Sequence, residues 1–175
     1  GDVAKTITNA GKIIKEGHAQ AVKLEGGSEI IEEVKGIINA GIPVMGHLGL
    51  TPQSVNQLGG FKLQAKTDQE AEKLLADAKL LEAAGVFAVV LECIPAKLAA
   101  RVTAELTIPT IGIGAGKNCD GQVLVTQDML GMTNDFTPKF VKKYNNLEAE
   151  MISSIKAYKQ EIEQGEFPNN KESFM

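Results

Sequence analysis

The sequence predicts an α/β fold built on a parallel β-sheet. Four short segments rich in β-branched residues alternate with segments whose apolar residues repeat at helical spacing. Strand–helix–strand units of this kind join parallel strands through crossover connections. With 175 residues, 43% of them hydrophobic and 23% charged, the chain has the size and composition of one globular domain with a real core.

The first half of the chain shows the alternation clearly. A short amphipathic helix is predicted to end near Gly17, and a strand follows within 19–27. A helix is predicted over 28–40, because its isoleucines and valine recur on one helical face and its acidic residues lie near its N-terminus. The second strand is predicted over 42–49.

The second half begins after a long segment without periodicity, residues 48–66. A loop of that length inside a compact domain usually has a function. Thr67 and Glu70 form a capping-box pattern that predicts the start of a helix, and Gly85 predicts its end. The remaining predictions are a strand over 86–93, a helix over 96–106, a strand over 108–116, helical structure over 138–164 and a polar tail over 165–175.

Charge and cysteine content exclude several classes of protein. The formal net charge is −4 without a basic block, so neither a nucleic-acid partner nor an anionic membrane is expected. Cys93 and Cys119 form no C-x-x-C pair and no disulfide framework, which is typical of a protein of the reducing cytoplasm. No apolar run reaches the roughly 18 residues that a transmembrane helix needs.

Each predicted strand ends in polar residues or glycines. These ends are 23–27, 46–49, 92–93 and 112–116. In parallel α/β proteins the ligand binds at the carboxyl edge of the sheet, so the four ends together predict a site there. The glycines of 112–116 lack the Lys-Ser/Thr of a phosphate-binding loop and match a tight turn better.

Lys23 and Glu25 are two residues apart, so both point to the same face of their strand. They form either a surface ion pair or a substrate-binding cation beside a hard oxygen ligand for Mg²⁺. Gly26 and Gly27 favour the second alternative, because glycine lets a ligand approach the backbone closely.

Glu92 ends an apolar strand, where a carboxylate is costly unless it is paired or solvated. Such a carboxylate is a candidate general base. His47 also lies at a strand end and is either a hydrogen-bonded structural residue or part of the site. His18, near the end of the first helix, is expected to be a surface or capping residue, and two histidines cannot build a His-rich zinc site.

Four segments carry a resemblance to a known family. The chain resembles ketopantoate hydroxymethyltransferase, also called 3-methyl-2-oxobutanoate hydroxymethyltransferase, along nearly its whole length. The matching segments are "VKLEGG", "PVMGHLGLTPQSVNQLGGFKLQAKT", "LECIP" and "IPTIGIGAGKNCDGQVLV".

The resemblance implies a fold, a reaction and roles for four residues. It implies a (βα)₈ TIM barrel of the phosphoenolpyruvate/pyruvate superfamily that transfers a one-carbon unit from 5,10-methylenetetrahydrofolate to 3-methyl-2-oxobutanoate. The product is ketopantoate for pantothenate synthesis, and Mg²⁺ is required. By the family motifs Glu25 is a metal-site residue, Lys23 binds the oxoacid, Glu92 is the proton acceptor and His47 lies close to the substrate. A homo-oligomer, a decamer in the family, is also implied.

The chain departs from the family pattern in its number of strands. A (βα)₈ barrel takes about 250 residues, whereas four strands are predicted here, and the family's aspartates of the early strands have no counterpart. The chain is therefore interpreted as one partial barrel domain, 1–175, corresponding to the C-terminal two thirds of the enzyme, with an N-terminal segment of the same enzyme as an expected partner. The alternatives are an inactive half-barrel and another Mg²⁺-dependent 2-oxoacid enzyme of the superfamily.

Overall fold

The computed structural model describes residues 2–54, 56, 60, 62–133 and 136–174. The helices are α1 (Val3–Lys15), α2 (Ile31–Asn39), α3 (Asp68–Ala84), α4 (Ala96–Glu105), α5 (Thr126–Leu130) and α6 (Leu147–Gln164). The strands are β1 (Val22–Glu25), β2 (Val44–Gly49), β3 (Ala88–Glu92), β4 (Thr110–Ile113) and β5 (Gly121–Gln122). Short 3₁₀ turns lie at Ser28–Ile30 and Pro52–Ser54.

The five strands form one parallel sheet in the order β1-β2-β3-β4-β5. The predicted α/β class is confirmed. Each strand lies beside its predecessor in the chain, and the order never reverses as it does in a doubly wound sheet. A sheet of this order is the arrangement of part of a βα barrel. The chain forms two compact units, Gly1–Val123 and Leu124–Met175, and the sheet belongs to the first.

One face of the sheet builds the hydrophobic core. Side chains alternate between faces along a strand, and directly paired residues of neighbouring parallel strands share a face. The residues of one face belong to a buried cluster that also contains side chains of α1, α2, α3 and α4. Its members from the first three strands are Val22, Val44, Leu48, Val89 and Leu91. All four helices therefore cover the same side of the sheet, as the helices of a βα barrel do.

The capping signals in the sequence form as expected. The Thr67 hydroxyl accepts a hydrogen bond from the Glu70 backbone N–H, and the Glu70 carboxylate accepts one from the Thr67 backbone N–H. Gly85 ends α3 in the left-handed conformation, with φ of 97°. His18 is exposed, as predicted, just beyond the end of α1. Asp2 caps α1 by accepting from the Lys5 backbone N–H at 3.1 Å.

The helix predicted over 138–164 begins later in the structure than the sequence indicated. α6 begins only at Leu147, and residues 138–146 form turns and irregular structure. Pro138 disfavours helical geometry before it, and the Asn146 side chain caps the later start by accepting from the Ala149 backbone N–H. β5 and α5 were not predicted, because elements of two and five residues leave no measurable periodicity. Part of the long loop, at 55, 57–59 and 61, lies outside the described residues.

Among the helices of the described ranges, none combines the length and the apolar character that crossing a membrane requires.

We expect Gly49→Ala to be much more destabilising than Gly41→Ala. Both glycines have positive φ, 95° and 81°, so alanine costs about 1–2 kcal/mol at either position. A Cβ at Gly49 would also collide with the Glu92 carbonyl oxygen, whereas a Cβ at Gly41 meets no atom within 4 Å. Overpacking of this kind adds roughly 1–3 kcal/mol. Urea denaturation of the two variants checks this, and equal losses in the free energy of unfolding would contradict it.

Candidate functional site

The sheet face opposite the core carries the predicted site residues. Glu25 pairs directly with His47 across β1 and β2, and Gly49 pairs with Glu92 across β2 and β3. Lys23 lies on the same face, two residues before Glu25. The structure therefore brings Lys23, Glu25, His47 and Glu92 to one face of three adjacent strands, near their carboxyl ends.

His47 lies between the two carboxylates. Its Nε2 is 3.1 Å from Oε2 of Glu92, and its Nδ1 is 3.6 Å from Oε1 of Glu25. The imidazole is 1% exposed, whereas the Glu25 and Glu92 side chains are 15% and 16% exposed. Neither ring nitrogen has a correctly aligned hydrogen bond within the described chain, so the two short distances are close approaches rather than formed hydrogen bonds. The carboxylates can be reached from solvent, and the imidazole cannot.

Glu25 has a second contact, which sequence analysis missed. Its Oε2 accepts a hydrogen bond from the backbone N–H of Gln53 at 2.9 Å. Gln53 belongs to the 3₁₀ turn of the long loop, Pro52–Ser54, so this loop reaches the site. The loop's lack of periodicity predicted a functional segment, but no pattern in it indicated which backbone group would meet Glu25.

The Lys23 side chain is exposed and makes no hydrogen bond or ion pair with any residue of the described ranges. The alternative of a surface ion pair between Lys23 and Glu25 is therefore not what the structure shows. The ammonium group remains available to a ligand that reaches this face.

The two glycines after β1 lie directly against side chains of the same chain. A Cβ on Gly27 would collide with the Asp77 carboxylate, and a Cβ on Gly26 would meet Oε1 of Glu29 at 2.9 Å. Asp77 accepts a hydrogen bond from the Ser28 backbone N–H at 3.2 Å, which explains its close approach. These glycines therefore leave room for Glu29 and Asp77 of the chain itself, and close approach of a ligand to them stays a prediction.

A cavity of about 290 Å³ lies beside the site, on the side of α3. Its lining includes Gly26, Gly49, Lys73 and Asp77, but none of Lys23, Glu25, His47 or Glu92. Asp77 is engaged with Lys73, whose Nζ lies 2.5 Å from Oδ2. The acid–base groups therefore lie outside the lining of this cavity.

Glu25 is the residue at this face that the family resemblance assigns to Mg²⁺. The described residues contain no group of three or more His, Cys, Asp or Glu residues placed to hold a metal ion. Glu25 has the hard carboxylate oxygens that Mg²⁺ prefers, and Mg²⁺ often takes one or two carboxylates together with water and substrate oxygens. Glu25 therefore fits one position of such a site and does not complete it.

Cys93, directly after Glu92, has an unusual environment. Its φ is 50°, rare for a residue other than glycine, and its backbone N–H and carbonyl are held by Ile113 and Gln64. Burial and, second, the negative charge of Glu92 raise the pKa of the Cys93 thiol. A thiol that stays protonated at neutral pH is a poor nucleophile, which disfavours an enzyme that uses Cys93 in its chemistry.

The geometry defines a parallel α/β protein with a candidate acid–base site at the carboxyl ends of its strands. The sequence profile described as ketopantoate hydroxymethyltransferase matches residues 1–170. The chain belongs to the ketopantoate hydroxymethyltransferase family.

Curated relatives support the family assignment. The chain is 60% identical to the 3-methyl-2-oxobutanoate hydroxymethyltransferase of Clostridium botulinum (strain Alaska E43 / Type E3), over 98% of this chain and 62% of the relative's length. Proteins of the same name from Moorella thermoacetica and Clostridioides difficile are 58% and 59% identical, over 98% of this chain and 64% and 62% of their own lengths. The chain thus spans less than two thirds of each of these relatives.

We expect Cys93 to be alkylated slowly in the folded protein. In a Cys119→Ser variant, the rate of reaction with iodoacetamide should rise with pH, because only the thiolate reacts. The midpoint of this rise should lie at a higher pH in the folded protein than in protein denatured in urea. Mass spectrometry of quenched samples gives both rates. Adding Glu92→Gln should lower the folded midpoint, since it removes the second cause of the shift. A folded midpoint at or below the denatured one would contradict the assigned environment.

Proposed function

We propose that this chain carries the proton-abstracting part of an enzyme that transfers a hydroxymethyl group from 5,10-methylenetetrahydrofolate to 3-methyl-2-oxobutanoate. The product is 2-dehydropantoate, or ketopantoate, in pantothenate biosynthesis. Family membership supports the reaction. The observation that carries the proposal is the position of Glu92, a solvent-accessible carboxylate at the end of β3, next to a buried imidazole and near a second carboxylate.

Glu92 acts as the general base in this proposal. It takes the proton from C3 of the oxoacid, and the electron pair of the broken C–H bond forms the C2–C3 double bond of an enolate. C3 of the enolate then forms a bond to the methylene carbon of the folate, and the bond from that carbon to one folate nitrogen breaks, so that this nitrogen takes the electron pair and a proton. Water replaces the second folate nitrogen at the same carbon, which gives the hydroxymethyl group and releases tetrahydrofolate. A carboxylate held at a strand end suits the first step, because proton abstraction requires the base within hydrogen-bond reach of the proton it removes.

Lys23 binds the carboxylate of the oxoacid. Its ammonium group is exposed, is not paired within the described residues and lies on the same face as Glu92. Two residues along a strand span roughly 6.6 Å, so Lys23 and a metal ion held by Glu25 can act on the same small oxoacid. We assign His47 to the neighbourhood of the substrate, between Glu25 and the base.

Glu25 is proposed as one ligand of Mg²⁺. When bound, the ion supplies positive charge beside the oxygens of the oxoacid, which favours loss of the C3 proton. Further oxygen ligands are needed, since Glu25 alone does not complete a site. The folate co-substrate and further copies of the same chain are the other proposed partners, in the cytoplasm.

We expect Glu92→Gln to abolish exchange of the C3 proton of 3-methyl-2-oxobutanoate with solvent. Glutamine keeps the shape of the side chain but cannot accept the proton, and loss of a general base typically lowers the rate by about 10²–10⁴-fold. Proton NMR in D₂O with Mg²⁺ and without folate measures exchange by the full-length protein. The matched control is Glu32→Gln, on the exposed face of α2, which should exchange like the wild type.

Three outcomes of this experiment would count against the proposal. Exchange that persists in Glu92→Gln would remove Glu92 from the role of base. A comparable loss of Mg²⁺ affinity in the same variant would assign it to the metal site instead. No exchange by the wild-type protein would overturn the proposed reaction at this face.

A further inference from the structure

We infer that His47 is a positioning residue, which fixes the distance between the base Glu92 and the carboxylate of Glu25 by lying between them and facing one with each ring nitrogen. This inference deepens the proposed function and depends on it for its chemical meaning. It differs from a substrate contact, the role that the family resemblance implies for His47.

The burial of the imidazole argues against direct contact with the oxoacid. His47 is 1% exposed, and any additional chain or subunit could only lower that value. Glu25 and Glu92 are 15% and 16% exposed, so a ligand on this face meets the carboxylates and finds the ring covered.

The ring nitrogens need partners, and among the described residues the two carboxylates are within reach. A buried polar group without a hydrogen bond costs about 1–3 kcal/mol. Nε2 is 3.1 Å from Glu92, and Nδ1 is 3.6 Å from Glu25, so small changes in side-chain torsion convert these approaches into hydrogen bonds. A bond formed on either side would hold the carboxylate that it reaches.

The backbone beneath the three side chains is held by the sheet. Glu25 pairs with His47, and the carbonyl of His47 accepts a hydrogen bond from the Gly26 backbone N–H at 3.1 Å. On the other side, Val90 pairs with His47 and Glu92 lies two residues further along β3. Three side chains anchored on adjacent strands keep a fixed spacing better than groups held by loops, which is what a base and a ligand of the same substrate require.

Nitrogen NMR of the imidazole tests the inference directly. The chain has two histidines, so ¹⁵N-histidine labelling gives two sets of ring resonances, and His18→Gln assigns them. We expect Glu92→Gln to shift Nε2 of His47 most and Glu25→Gln to shift Nδ1 most, at a single pH. The matched control is Glu29→Gln, a nearby carboxylate that contacts the Gly27 backbone N–H and makes no recorded contact with His47. Shifts from Glu25→Gln and Glu92→Gln no larger than those from the control would overturn the inference.

Kinetics of C3 proton exchange in the full-length protein provide a second test. His47→Phe keeps a ring without nitrogen, and His47→Gln restores a polar group near the position of Nε2. Loss of a residue that orients a ligand or a base typically costs about 10–100-fold. We expect a fall of that size in kcat for His47→Phe with little change in the KM for the oxoacid, and partial recovery in His47→Gln.

A rise in KM with unchanged kcat in both variants would show that His47 binds the oxoacid and would overturn the positioning role. The NMR experiment needs no turnover, so it still decides the inference if His47→Phe does not fold. It also separates the two proposals: absent exchange in the wild type contradicts the reaction, whereas unmoved ring resonances contradict the role of His47.

Discussion

The alternation of side chains along parallel strands is the constraint on which both the core and the site depend. On β1, β2 and β3 every second side chain belongs to or packs against the apolar cluster beneath the helices, with Gly46 the exception, and the residues between them face the other way. The same backbone geometry therefore places apolar side chains on one face of the sheet and charged side chains on the other. The apolar face stabilises the unit because it removes apolar surface from water. A shift of one residue in the register would move Glu25, His47 and Glu92 into the core, so the core also holds the site in place.

The side chains of the charged face lower the stability of the fold, which indicates that they have a function. A buried imidazole that lies between two carboxylates without an aligned hydrogen bond to any described residue is not what stability alone would select. A hydrophobic side chain at position 47 would fill the same space without that penalty. Departures of this kind cluster at functional sites, where stability is given up for chemistry.

The sequence was sufficient for the class of fold and for the placement of the four candidate residues at strand ends. Helical periodicity, the capping box at Thr67 and the glycine at Gly85 predicted α3 closely, because these signals are local. The two-residue spacing of Lys23 and Glu25 predicted their common face for the same reason. What could not be predicted depends on distant neighbours: the contact of Gln53 with Glu25, the approach of Asp77 to Gly27, and the placement of His47 between two carboxylates from different strands.

A crystal structure of the full-length protein with 3-methyl-2-oxobutanoate bound would show whether the charged face binds the substrate. We expect the oxoacid on this face, with its carboxylate at Lys23 and its C3 about 3–3.5 Å from a carboxylate oxygen of Glu92. We also expect the imidazole of His47 to touch both carboxylates and not the ligand. An oxoacid bound in the cavity beside Asp77, with Glu92 out of reach of C3, would overturn the proposed role of this face.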